Sequence, residues 1–153
     1  MSDLIDDSLR EKINSDDTIK VLATESKDGI LHVVFKSSIH AEENGKIIFY
    51  ELIESSQNNK NLVYSIWHDK EVKISILTKD KESYEISGIV KRAIVAGKEF
   101  EEAYQNVIED GYKDLSTIWV IEPTEVKNTS LAKRAKEEEA LHPVFTHLDR
   151  IAK

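Results

Sequence analysis

The 153-residue chain has no cysteine, one methionine, two prolines, five glycines and no apolar run that approaches a membrane span. Without cysteine there is no disulfide framework, no thiolate metal site and no cysteine nucleophile. A bilayer-crossing helix needs roughly 20 consecutive apolar residues, so no membrane partner is expected. Gly29, Gly45, Gly88, Gly97 and Gly111 lie too far apart to form GxGxxG or GxxxxGK, which removes Rossmann and P-loop phosphate sites. Positive charge is also in short supply: 21 Lys and Arg stand against 29 Asp and Glu, a formal charge of -8. Basic residues cluster only in "LAKRAK", and an acidic surface of this kind repels nucleic acid, so no such partner is expected.

Metal and hydrolytic motifs are missing too. His32, His40, His68, His142 and His147 form no HExxH, and His142 and His147, five apart, face different sides of any helix. Glu139 and His142 make one Glu-x-x-His pair, whereas a di-iron bundle needs two copies and two further carboxylates. No metal site is expected. There is no GxSxG elbow, and the acid pairs Asp6/Asp7 and Asp16/Asp17 sit where capping or turns explain them. No catalytic residue is assigned.

What remains is an ordinary globular composition, 40% hydrophobic and 33% charged. A chain of this length buries about two-thirds of its unfolded surface and suits one domain, 1–153. The opening "MSDLIDDSLREKI" is acidic and amphipathic, without the basic start and apolar middle of a secretory signal, so a cytoplasmic location is expected.

Periodicity orders the chain. Leu4, Ile5, Leu9 and Ile13 predict a first helix over about 4–15. "TIKVLATES", the turn "KDG" and "ILHVVFKSSIH" predict a hairpin, with Gly29 taking positive φ. "EENGK" leads to a third strand, "KIIFYEL". Next come the polar "ESSQNNKN" and a helix over about 59–68, with Asn58 or Asn59 as its N-cap. "EVKISILTK" and "SYEISGIVKRAIV" read as strands, the second interrupted at Gly88 by a bulge or a close backbone approach. Phe100, Tyr104, Val107 and Ile108 mark a helix stopping at Gly111, and "STIWVIEPTEV" is a last strand closed by Pro123. A helical extension over about 130–152 starts at Ser130, breaks before Pro143, and offers Leu131, Ala135, Leu141, Val144, Phe145, Leu148 and Ile151 for docking. Six or so strands in meander order, with one short helix after the third, predict a mainly β protein, a small antiparallel barrel with peripheral helices.

The segments "VLATESKDGILHVVFKSSI", "GKIIFYELIESSQNNKNL", "EVKISIL" and "YEISGIVKRAIVAGKEFEEAY" occur in an order that resembles the flavin-binding split-barrel family, which includes the pyridoxamine 5'-phosphate oxidase-like proteins. The family's hairpin marks resemble Ala23, Thr24, Asp28, Gly29 and His32. Its helix start resembles Asn58, Asn61 and Leu62, and its later strand and helix resemble Gly88 and Phe100. The likeness covers about residues 20–126.

The resemblance implies a split β-barrel homodimer holding FMN in clefts between subunits, and a flavin-dependent oxidoreductase acting between a small-molecule electron donor and acceptor. Lys36, Ser37 and Ser38 would face the flavin ring. Ser55, Ser56, Gln57 and Asn58 would surround the phosphate, where a helix N-terminus offers unpaired N–H groups and a partial positive charge. The alternative is an ordinary capped loop whose serines meet solvent. Relatives carry an Arg on the second strand and a Lys in the phosphate loop. Here those positions hold Val34 or Phe35, and Gln57 or Asn58, leaving Lys36 and Lys60 as the available cations. A second expectation follows from that departure: a barrel that has lost flavin and serves as a binding or regulatory dimer, with haem on His32 or His147 as a variant.

Overall fold

The computed structural model describes residues 4–143 and 147–151. Helix α1 (Asp7–Asn14) opens at Asp6, whose carboxylate accepts the backbone N–H of Leu9 at 2.8 Å. Ile5, Leu9 and Ile13 enter the core, and Leu4 stays outside it.

Seven strands follow: β1 (Ile19–Glu25), β2 (Leu31–Phe35), β3 (His40–Ala41), β4 (Ile47–Glu51), β5 (Glu71–Leu77), β6 (Ser83–Ile94) and β7 (Thr117–Asn128). Helix α2 (Gln57–His68) joins β4 to β5, α3 (Lys98–Glu109) joins β6 to β7, and α4 (Leu131–Leu141) comes last. The strands form one antiparallel sheet in the order β2-β1-β5-β6-β7-β4-β3. This is not the simple meander expected from the sequence. Helix α2 carries the chain away from β4, so that β5 pairs with β1 while β4 pairs with β7. The single strand expected over 30–40 is in fact two, because Ile39 N–H closes a turn onto the Lys36 carbonyl at 3.2 Å. Those two pieces, β2 and β3, are the opposite edges of the sheet. Joining them by one turn curls the sheet into the half-barrel of a split-barrel fold, as the sequence predicted.

Alternation along the strands sorts two cores. Phe49, Ile47, Leu22, Val72, Ile74, Ile76 and Trp119 fill the inside with Leu62 of α2. On the other face of β4 and β7, Ala103 and Val107 of α3 meet Ile118 and Val120, with Ile48, Tyr50 and Leu52 alongside. Of the four residues predicted as the α3 stripe, Phe100 and Tyr104 are half-buried, Val107 is buried and Ile108 is exposed; Ala103 completes the contact.

Pro123 does not end β7. It sits opposite Gly88 at a register shift between β6 and β7. A Cβ on Gly88 would lie 2.5 Å from Ile121 Cγ2 and 2.9 Å from the Glu122 carbonyl oxygen. Ser130 is the N-cap residue of α4 as predicted, but its hydroxyl makes no capping bond: it accepts the Ser83 N–H at 2.9 Å and donates to the Ser83 carbonyl at 3.2 Å. Helix α4 stops before Pro143 as predicted and buries none of its residues, and Leu148–Arg150 form a short 3-10 turn. Val144 and Phe145, expected to help dock this extension, lie outside the described residues, as does position 152.

Gly88→Ala is expected to destabilise the protein by about 1–3 kcal/mol in urea unfolding, the cost of overpacking against backbone that cannot move aside.

Candidate functional site

The turn between the two edge strands opens onto a cleft of about 400 Å3. Phe35, Lys36, Ser37 and Ser38 form one wall, Tyr50 and Leu52 of the β4 exit a second, and Asn106, Val107, Asp110 and Tyr112 at the end of α3 a third. The three residues predicted to face a flavin ring are therefore together in one concavity. They are not equivalent. Ser38 Oγ accepts the Tyr50 N–H at 3.0 Å and so ties the edge turn to β4, whereas Ser37 is exposed. Burial, with Glu42 adding to it, pushes the Tyr50 phenol above its ordinary range, so the cleft keeps a neutral hydroxyl on that wall.

Glu51 was not singled out by the sequence reading; it does not line the cleft, but it lies behind that wall and bonds a residue from each half of the predicted site. It lies in the inward phase of β4 after Ile47 and Phe49, 4% exposed. One carboxylate oxygen accepts from Lys36 Nζ at 3.1 Å, the other from Asn58 Nδ2 at 2.9 Å. A charged residue continuing an apolar alternation was the signal that could have found it.

The polar run before α2 behaves differently from either expectation. The N-cap is Ser56, not Asn58 or Asn59: its hydroxyl oxygen accepts the Asn59 N–H at 3.0 Å from an extended backbone. Starting the helix at Gln57 places the asparagines inside it, facing the sheet. Asn59 accepts the Trp119 indole N–H at 3.0 Å and donates to the Glu54 carbonyl at 2.9 Å. Asn61 donates to Thr24 Oγ1 at 3.1 Å and accepts from Gln57 Nε2 at 2.8 Å. Asn58 is buried with its Oδ1 unpartnered among the described residues.

Of the four residues expected around a phosphate, Ser55 and Gln57 are exposed, Ser56 is half-buried as the cap, and the Asn58 amide is committed to Glu51. The backbone N–H groups of Gln57 and Asn58 belong to the first helical turn, which has no intrahelical acceptors. Lys60 is exposed, and Lys36 is neutralised by its ion pair. The two halves of the predicted site are thus linked, Lys36 to Glu51 to Asn58, through a carboxylate. A second hollow of about 510 Å3, lined by Val63, Ile66 and Trp67 with Lys91, Arg92, Ala93 and Trp119, contains none of the predicted residues. No group of three His, Asp or Glu among the described residues could hold a metal, and no described helix is long and apolar enough to cross a membrane.

A curled antiparallel half-barrel with an edge-turn cleft beside an inserted helix defines the split-barrel class, and comparison with solved structures shows that fold. HupZ of Group A Streptococcus matches with a TM-score of 0.66 at 15% identity, over 81% of this chain and 93% of its own. An FMN-binding protein from Syntrophomonas wolfei matches with a TM-score of 0.62 at 16% identity, over 80% of this chain and 84% of its own. HutZ, the haem storage protein of Vibrio cholerae, matches with a TM-score of 0.59 at 12% identity, over 81% and 94%. No protein-family model and no curated protein sequence matches the chain.

Asn59→Ala removes the acceptor of a buried indole N–H and is expected to cost about 1–3 kcal/mol in chemical denaturation. An unchanged midpoint would show that the amide seam does not fix α2.

Proposed function

We propose that the cleft at residues 36–38 binds FMN in a homodimer, and that the protein passes electrons between a small-molecule donor, such as a reduced nicotinamide, and a small acceptor. The observation that carries this reading is the meeting of Lys36, Ser37 and Ser38 in one cleft of about 400 Å3, within a fold shared with an FMN-binding protein. The residues fit the two ends of the cofactor unequally. At the ring end Phe35 and Leu52 offer apolar contact, Tyr50 a neutral hydroxyl and Lys36 a donor. At the phosphate end Ser55, Ser56, Gln57 and the first-turn N–H groups of α2 offer uncharged donors. Bound flavin supplies the redox chemistry, and the protein's part is orientation, hydrogen bonding and exclusion of water.

The dimer reading rests on an apolar sheet face. Leu31, Val33 and Phe35 of edge strand β2 are 73%, 64% and 77% exposed. Register sets Val33 and Phe35 beside Ala23 and Val21, and Ile19 beside Leu77. An exposed apolar edge of this kind invites a partner surface, and Phe35 also lines the cleft, so the partner would border the ligand.

A second reading is favoured by the likeness to HutZ: a barrel without flavin that binds haem through His32, half-buried on β2, or His147. A Soret band on titration with haemin, with no response to FMN, would select it.

Titration of the purified protein with FMN is expected to quench flavin fluorescence to a stoichiometry of one per protomer; unquenched emission from a colourless protein defeats the flavin reading. Phe35→Asp is expected to halve the mass measured by light scattering. A variant that remains dimeric moves the interface elsewhere.

A further inference from the structure

We infer that Glu51, on the inward face of β4 behind the cleft wall, sets the ligand specificity of the site through its bonds to Lys36 and Asn58. By holding both Lys36 and Asn58 it cancels the charge available to a phosphate, so that the site takes a flavin by its ring and side chain and gains little from phosphorylation. The inference rests on the flavin reading above and sharpens it.

Three observations carry it. First, Glu51 is buried, and a buried carboxylate holds whatever donors it has, because losing one leaves a charge without compensation. Among the described residues its two oxygens have one hydrogen-bond partner each, Lys36 at 3.1 Å and Asn58 at 2.9 Å. Second, those partners are the cation on the cleft wall and a side-chain amide in the first turn of α2. Lys36 with Glu51 sums to zero charge, and an incoming dianion would have to displace a carboxylate already bonded to both donors. Third, Asn58 keeps Nδ2 on Glu51 although its Oδ1 then lies buried without a donor among the described residues. The carboxylate therefore dictates the amide's orientation, and the amide is not free to turn towards a ligand.

The remaining phosphate-end groups are neutral, and neutral hydrogen bonds are about half as strong as charge-assisted ones. Glu51→Gln keeps an oxygen for the Asn58 amide while setting an NH2 group against the Lys36 ammonium. That substitution releases Lys36 to the cleft and restores one positive charge.

The test uses the full chain, as wild type and Glu51→Gln, with circular dichroism to confirm folding. FMN and riboflavin are titrated by fluorescence quenching. Wild type is expected to bind the two within about threefold of one another; the variant is expected to bind FMN about tenfold more tightly with riboflavin nearly unchanged, the gain of one charge-assisted contact. A wild type that prefers FMN by about tenfold or more, or a variant whose preference does not change, overturns the inference while leaving the flavin reading intact. A flavin-free arm measures acetylation of Lys36 by acetic anhydride, read by mass spectrometry, with and without inorganic pyrophosphate. Lys36 is expected to react faster in the variant, and pyrophosphate is expected to protect it only there. If neither protein binds either flavin, the flavin reading falls, and equal labelling with equal protection in this arm overturns the hold of Glu51 on Lys36.

Discussion

The seam between α2 and the sheet is the constraint on which the rest of the structure depends. Asn58, Asn59 and Asn61 are all buried, and each side chain bonds a group on a strand: Glu51, Trp119 and Thr24. A buried amide without partners is costly, so these bonds fix both where the helix lies and how it is rotated. Leu62 then reaches the core, and the chain leaves α2 positioned to lay β5 beside β1. Sheet order, and with it the meeting of the two edges at residues 36–39, follows from that placement.

The same economy of donors governs the cleft. A protein with a net charge of -8 has few cations to spare, and the one that reaches the cleft from the β2 edge is already paired. A helix N-terminus carries only a partial positive charge, which adjacent neutral hydroxyls extend without adding to it. Whatever binds here meets shape and hydrogen bonds before it meets charge.

Among the apolar surfaces the described residues leave exposed are the outer face of β1 and β2, and the helix α4 with Leu131 and Leu141 exposed at either end. The first borders the cleft through Phe35. The second is held at its root, where Ser130 grips Ser83.

Much of this was legible in the residues themselves. Period-two alternation located the strands, the Gly29 turn located the first hairpin, and Pro143 located the end of α4, because each is a local preference acting within a few residues. The gathering of Lys36, Ser37 and Ser38 on one wall was also within reach, since they are consecutive. The N-cap was misplaced by two or three residues because serine and asparagine are comparable caps, and only the pull of Trp119 and Thr24 on the Asn59 and Asn61 amides settles which one starts the helix. Glu51 stayed hidden for the same kind of reason. Its role is made by Lys36, fifteen positions before it, and Asn58, seven after, and a bond between residues that distant exists only once the sheet has curled. By itself the sequence determined which segments are strands and helices and which face of each is apolar. Tertiary packing alone decided which donors the buried carboxylate would claim, because that choice depends on distances across the fold.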